Sequence, residues 1–191
     1  MGEPSRENLL VAKGVLGPMG GAERDLIRIL PSLNELFSVS MATIQPSPEL
    51  VEVCSSNGIE LITPESDWEV PRDSLSTILD SGRSSASRAW RSCEGLEEAM
   101  SSAMAVHLVS GDGSLPILDH VPSDLRVHLH LLEPHRGLYE EVLHRRVDGS
   151  PRRNLSITKA ALSRARSRDR SLMKDLISRE GSAVSGNSTF I

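Results

Sequence analysis

Short apolar runs in the first third of the chain alternate with segments whose apolar residues recur every three or four positions. The runs at 9–16, 37–44 and 59–62 predict three strands, because they are continuously apolar or alternate apolar with small polar residues. Apolar residues at helical spacing predict a helix around 26–33 and a second one at 49–57. This order of strands and helices is typical of parallel strands joined by right-handed crossovers.

Local residues set the expected ends of these two helices. Pro31 lies inside the first apolar pattern and is expected to kink or end that helix, because proline has no backbone N–H to donate. The pair Asn57-Gly58 is expected to cap the second helix, since glycine at this place accepts a left-handed backbone conformation.

The rest of the chain continues the alternation of strands and helices. Two Pro residues and a serine-rich segment make 63–90 the least regular part, with 81–87 expected as a loop. The further predicted elements are a short helix at 74–79, a helix at 96–105, strands at 104–110 and 125–132, a long amphipathic helix at 155–179 and a short strand at 183–186.

Length and composition favour one folded domain without a membrane anchor. The chain has 191 residues, 38% of them hydrophobic and 25% charged, which is enough for one sizeable core. No apolar run approaches the roughly 18–20 residues of a membrane span, and the N-terminus lacks the features of a secretory signal. Cys54 and Cys93 form no redox or metal motif and are interpreted as reduced, partly buried thiols. The expected location is cytoplasmic.

Charge is unevenly distributed along the chain. Residues 144–180 hold 11 Lys and Arg against 4 Asp and Glu, whereas residues 1–143 hold 10 against 22. The helix predicted at 155–179 is interpreted as an amphipathic helix that docks on the sheet with its basic side in water. Its basic surface could also contact anionic lipid headgroups at the inner face of a membrane, and both interpretations can hold for one helix.

A small basic cluster at residues 88–91 raises the question of nucleic acid. Arg88, Trp90 and Arg91 lie close together in sequence, but no nucleic-acid-binding motif accompanies them. We interpret the cluster as a solvated surface with Trp90 as a half-buried anchor, and we expect no nucleic-acid partner.

The stretch from Gly17 to Arg24, GPMGGAER, joins the first predicted strand to the first helix. Backbone N–H groups at a helix start attract anions, and glycine allows a ligand to approach the backbone closely. The spacing matches neither the dinucleotide fingerprint nor the P-loop. The stretch is therefore either a structural turn or a phosphate-facing one.

Histidines are concentrated on the fourth and fifth predicted strands. The pair Asp119-His120 and the group His107, His128 and His130 suggest a metal site. His128 and His130 alternate along one strand, so they point to the same face and could ligate zinc. No third ligand stands at a suitable spacing in sequence, and the alternative is one packed and one hydrogen-bonded histidine. We therefore expect no metal and no other cofactor.

The segment 133–140, EPHRGLYE, follows the fifth predicted strand and offers several reactive groups. Arg136 could bind a phosphate through two parallel hydrogen bonds, and Glu133 could accept hydrogen bonds from sugar hydroxyls. The alternative is an exposed loop containing an ordinary Arg136–Glu140 ion pair.

Four landmarks resemble the N-terminal half of a family 4 retaining glycosyltransferase of the GT-B fold. In order they are GPMGGAER at 17–24, AVHLVSGDGSLPIL at 105–118, VHLHLLEPHRGLYE at 127–140 and SAVSGNSTFI at 182–191. The first and third are the most specific, and together the four cover essentially the whole chain.

The resemblance implies an α/β fold, a Rossmann-like parallel sheet with helices on both faces, forming one half of a GT-B enzyme. Residues 1–191 would be one acceptor-side domain. The second, donor-binding domain would be absent from this chain or supplied by a separate partner chain. The reaction implied is metal-independent transfer of a hexosyl group from a nucleotide-sugar donor to a lipid-linked or saccharide acceptor, with the half domain inactive alone.

The same resemblance suggests roles for individual residues. Gly20 and Gly21 would face the donor diphosphate. The family often has a histidine at the position of Leu132, and His130, on the same strand face, becomes the candidate catalytic residue. The candidate acceptor-binding residues are Asp112, Glu133, His135, Arg136 and Tyr139. The alternative function is a non-catalytic α/β binding or partner module that keeps the fold.

Overall fold

The computed structural model describes residues 6–16, 21–66, 68–69, 81–131 and 170–186. Six strands form one parallel sheet in the order β3-β2-β1-β4-β5-β6. The strands are β1 (Asn8–Ala12), β2 (Ser38–Ala42), β3 (Glu60–Ile62), β4 (Ala105–Val109), β5 (Arg126–Leu131) and β6 (Ala183–Gly186). The predicted Rossmann-like α/β class is confirmed.

Helices lie on both faces of this sheet. The helices are α1 (Gly21–Leu36), α2 (Pro48–Ser56), α3 (Ser81–Arg91), α4 (Leu96–Ser102), a 3-10 helix at Leu115–Asp119 and α5 at 170–178. α1 and α2 pack on one face with Val11, Val39 and Met41, and we call this the small core. α3, α4 and α5 pack on the other face, and we call that the large core.

The cap predicted for α2 is present. Ser47 accepts a hydrogen bond from Leu50 N at the start of the helix, and Asn57 ends it, followed by Gly58 at a φ of 63°. The strand positions also agree with the predicted ones within a few residues.

Pro31 neither ends nor shortens α1, so that part of the expectation was wrong. The helix runs from Gly21 to Leu36 with the proline inside it. Leu26, Ile27 and Leu30 are buried on one side of this helix, and their packing on the sheet outweighs one missing hydrogen bond.

The serine-rich segment 81–87 is helical, not a loop as predicted. Ala86, Ala89, Trp90 and Cys93 are buried at helical spacing in the large core. Serine disfavours the helix interior only weakly, so this apolar stripe determines the structure. Trp90 is fully buried, at 0% exposure, and not the half-buried anchor that the sequence predicted.

Both cysteines are free and buried. Burial raises the pKa of the Cys54 thiol to about 11 and that of Cys93 to about 12. Both therefore stay protonated and unreactive near neutral pH.

Candidate functional site

The order of the strands places a natural ligand crevice between β1 and β4. From β1 the chain moves through α1 to β2 on one side, and it returns later to β4 on the other side. The loops after β1 and β4 therefore diverge at the carboxyl edge of the sheet. In open parallel sheets, ligands bind outside the strands at such a reversal.

Gly14 joins the three loops that border this crevice. Its N–H donates to Ser114 Oγ at 2.9 Å, and its carbonyl oxygen accepts from Thr43 Oγ1 at 2.9 Å. A Cβ at Gly14 would overlap with the backbone of Asp112 and Gly113, so only glycine fits here. The loops after β1, β2 and β4 are thus fixed relative to one another.

Lys13 is a buried cation directly below the crevice. Its side chain is 2% exposed, and Nζ donates to the Ser110 carbonyl oxygen at 2.9 Å. The same Nζ lies 3.3 Å from Glu23 Oε1, in the first turn of α1. Lys13 therefore connects the two walls of the crevice, the loop after β4 and the start of α1.

The loop after β4 is held from below and leaves two residues exposed. The carbonyl oxygen of Gly113 accepts from Trp90 Nε1 at 2.7 Å, and Ser114 is fully buried. Gly111 and Asp112 are exposed. A polar ligand could reach the Asp112 carboxylate, one of the predicted acceptor-binding residues.

The two glycines predicted to face a diphosphate are only partly described. Gly21 is the first residue of α1 and is exposed, and no residue in the described part of the chain lies within 4 Å of an added Cβ. It therefore stands at a helix N-terminus. Gly20 lies outside the described residues, as do Glu133, His135, Arg136 and Tyr139.

His130 belongs to a connected polar group on the sheet face that also carries the small core. His107 Nδ1 lies 2.9 Å from His128 Nδ1, and His128 Nε2 lies 2.7 Å from Ser185 Oγ. Ser185 Oγ also lies 3.0 Å from His130 Nδ1. We call these four residues the histidine chain. The geometry joins the three histidines whose sequence positions had suggested zinc.

Burial makes His107 and His128 reluctant to take up protons. It lowers the pKa of His107 to about 4, with smaller contributions from the nearby His128 and His130. Burial also lowers the pKa of His128, and His130 adds to that effect. Across the described ranges, no group of three or more His, Cys, Asp or Glu side chains is arranged to hold a metal ion.

A second concave region lies between α3 and α5, away from the crevice. This cleft has a volume of about 560 Å³ and is lined in part by Arg88, Arg91, Asp119 and Asp175. The two cations face two carboxylates, so the cleft has no clear preference for the charge of a ligand. We therefore place the candidate site at the carboxyl edge of β1 and β4.

Comparisons with known proteins give no sequence-level relative. No family model matches the chain, and no curated protein matches it. One similar solved structure is BdcA in complex with NADPH, at 12% identity and a TM-score of 0.43, covering 95% of this chain and 69% of that one. Another is a putative short-chain dehydrogenase/reductase from Sinorhizobium meliloti, at 13% identity and a TM-score of 0.40, covering 97% and 80%.

These findings correct the family prediction. The structures found are a protein bound to NADPH and a dehydrogenase/reductase, and no family or curated match supports a glycosyltransferase. The assignment to family 4 is wrong, and so are the nucleotide-sugar donor, the saccharide or lipid-linked acceptor and the missing GT-B half that followed from it. Short motifs such as GGAER carried that assignment, and they are common wherever a strand meets a helix through a glycine turn.

Three residues of the crevice were missed in the sequence. Lys13 and Ser114 bear no motif, because their partners come from distant parts of the chain. Gly14 had a weak signal, since Gly14, Gly17 and Gly20 recur at intervals of three residues immediately after β1. Ser185 of the histidine chain had no signal, because only the pairing of β5 with β6 brings it to His130.

None of the helices in the described part of the chain is long and apolar enough to span a membrane.

Proposed function

We propose that this chain is a nucleotide-binding domain that takes a dinucleotide across the carboxyl ends of β1 and β4. The observation that carries the proposal is the strand order β3-β2-β1-β4-β5-β6. This order reverses between β1 and β4, which is where dinucleotides bind in Rossmann-type sheets. Since fold alone does not define function, the residues at that edge must also suit the ligand.

The start of α1 suits a diphosphate. Unpaired N–H groups at a helix N-terminus and the helix dipole favour an anion there. Gly21 has no side chain at this helix start, and no described residue lies within 4 Å of a Cβ added there. Glu23 is nearby, but its charge is balanced by Lys13 at 3.3 Å.

The loop after β4 suits a sugar hydroxyl. Asp112 is exposed at the same edge of the sheet, and a carboxylate accepts hydrogen bonds from a ribose hydroxyl. Lys13 fixes this loop relative to α1 through Ser110 O and Glu23. We assign Lys13 a positioning role, because its side chain is buried.

Calorimetric titration of the full chain with NADPH tests this function. We expect saturable binding, with the affinity falling about tenfold in Asp112→Ala, the loss expected for one hydrogen bond to a charged group. Gly21→Val should weaken binding further, because its side chain would fill the space next to the helix start. Glu98→Ala, exposed in the first turn of α4 before β4, serves as the control and should bind normally.

Two results would overturn the proposal. One is the absence of binding at millimolar NADPH by a chain shown to be folded. The other is equal affinity in Asp112→Ala, Gly21→Val and Glu98→Ala, which would place the ligand elsewhere.

The expected organisation and location stay predictions. That residues 1–191 form one domain is checked by a single cooperative unfolding transition followed by two spectroscopic probes. A cytoplasmic location with peripheral contact to an anionic membrane is checked by sedimentation with vesicles containing phosphatidylserine.

A further inference from the structure

The histidine chain runs through side chains contributed by three neighbouring strands. His107 and His128 are paired in register on β4 and β5, and His130 is paired with Ser185 on β5 and β6. Their contacts of 2.9, 2.7 and 3.0 Å form one unbranched series from His107 through His128 and Ser185 to His130. All four residues are half-buried.

Neutral imidazole carries one N–H and one acceptor nitrogen, which restricts how this series can be filled. In the first arrangement, His130 Nδ1–H donates to Ser185, Ser185 donates to His128 Nε2, and His128 Nδ1–H donates to His107 Nδ1. In the second arrangement every one of these hydrogen bonds is reversed. One further filling with three neutral rings makes all three hydrogen bonds, with Ser185 Oγ accepting from both His130 Nδ1–H and His128 Nε2–H, but its serine proton then lies outside the series. Only the first and second arrangements let a proton pass along the series.

We propose that the histidine chain is a proton relay that switches between these two arrangements. Starting from the first, a proton binds His130 Nε2, and the bond from His130 Nδ1 to its proton breaks as that proton passes to Ser185 Oγ. The serine proton passes to His128 Nε2, and the His128 Nδ1 proton passes to His107 Nδ1. The proton on His107 Nε2 is then released. One proton enters, one leaves, and every ring is neutral before and after.

The relay has one end close to the proposed ligand edge. Lys13 follows β1 directly, and the register places Lys13, Val109, His130 and Ser185 in one row across the sheet. His107 lies two positions earlier on β4, further from the carboxyl edge. The first arrangement therefore carries a proton from the ligand edge at His130 to a ring nearer the middle of the sheet, and the second arrangement carries one back.

That the relay delivers protons to a bound ligand rests on the proposed nucleotide function. The transfer of protons among the three histidines and Ser185 does not. Nitrogen NMR of the full chain labelled with ¹⁵N-histidine, without any nucleotide, tests it at about pH 8, above the ordinary titration range of the imidazole side chain. The measured quantity is the fraction of each ring with its proton on Nδ1.

A relay fixes the relation among these fractions. His128 and His130 should show the same Nδ1–H fraction, and His107 should show the complementary fraction, at every temperature measured. In Ser185→Ala, the Nδ1–H fraction of His130 should differ from that of His128, while the fractions of His107 and His128 should still add up to one. Ser101→Ala removes an exposed hydroxyl from α4 and should leave all three fractions unchanged.

The spectrum of the wild-type protein alone can contradict the proposal. The test therefore remains decisive even if Ser185→Ala folds poorly. Unequal fractions at His128 and His130, or equal rather than complementary fractions at His107 and His128, would show that the rings do not share protons. An unchanged relation between His128 and His130 in folded Ser185→Ala would remove the serine from the relay. A failure of NADPH binding would not alter any of these results.

Discussion

The two faces of β4 and β5 carry side chains of different polarity. On one face, Val106, Leu108, Val127 and Leu129 are buried in the large core beneath α3, α4 and α5. On the other face, the alternating positions of the same two strands are His107, His128 and His130, joined by hydrogen bonds.

Central strands of a parallel sheet are normally covered on both faces and read as nearly continuous apolar runs. Here the apolar face provides the stability, whereas on the polar face three imidazole rings are connected by hydrogen bonds. Successive side chains of a strand point to opposite faces of the sheet. Residues that pack in the large core and residues of the histidine chain therefore alternate along β4 and β5. Substitutions on the two faces should therefore have different kinds of effect.

The largest effect is expected from the apolar face. Trp90→Ala should lower the free energy of unfolding by about 3–5 kcal/mol, because it leaves a cavity and removes the hydrogen bond to Gly113 O. Ile177→Ala on α5, which is 68% exposed, should change it by less than about 0.5 kcal/mol. Urea denaturation followed by far-UV circular dichroism measures both, and similar losses in the two variants would contradict the packing described.

Gly14→Ala should come next. The added methyl overlaps with backbone atoms of Asp112 and Gly113, and overpacking of this kind costs about 1–3 kcal/mol or more. Gly21→Ala adds the same methyl in open space within a helix, where alanine is favoured over glycine by up to about 1 kcal/mol. In thermal melts, the midpoint temperature should fall for Gly14→Ala and rise for Gly21→Ala. A fall in both variants would contradict the conclusion that only Gly14 is in close contact with neighbouring backbone.

Lys13→Met should have a moderate effect on stability and a distinct effect on binding. It keeps the packing of the side-chain stem but leaves the half-exposed Glu23 carboxylate without its partner, at a cost of about 1–3 kcal/mol. NADPH affinity should fall as well, since the two walls of the crevice are no longer joined. Comparing calorimetry for Lys13→Met with that for Ile177→Ala checks this, and normal affinity in folded Lys13→Met would exclude the positioning role.

At pH 7 the smallest effect is expected from the polar face, because its effect on stability appears only as the pH is lowered. Burial, together with His128 and His130, lowers the pKa of His107 to about 4 from an ordinary value of 6.5. The unfolded chain therefore binds more protons in this range, and stability should fall as the pH is lowered from about 6.5 to about 4. In His107→Gln this decline should be shallower, whereas Ser101→Ala, at an exposed residue of α4 that does not titrate in this range, should follow the wild type. An equally steep decline in His107→Gln would show that the slope arises elsewhere.

Much of the fold could be predicted from local pattern, and the site could not. β6 was predicted at its observed bounds, and the cap around Asn57 was found, because period and turn chemistry are local properties. The helix at 81–91 was missed because burial of Trp90 overrides its serine content. Lys13 and Ser114 act through contacts about one hundred residues away in sequence, which no local pattern contains.

Amide chemical-shift mapping of the full chain during titration with NADPH tests the central claim most directly. Dinucleotide binding at the reversal of strand order predicts that the largest shifts fall on Gly21, Gly111 and Asp112, at the carboxyl edge between β1 and β4. Amides at the opposite edge, such as Asn8 and Ala105, should stay nearly unchanged. Shifts centred on the cleft between α3 and α5, or no shifts at millimolar NADPH, would contradict the account.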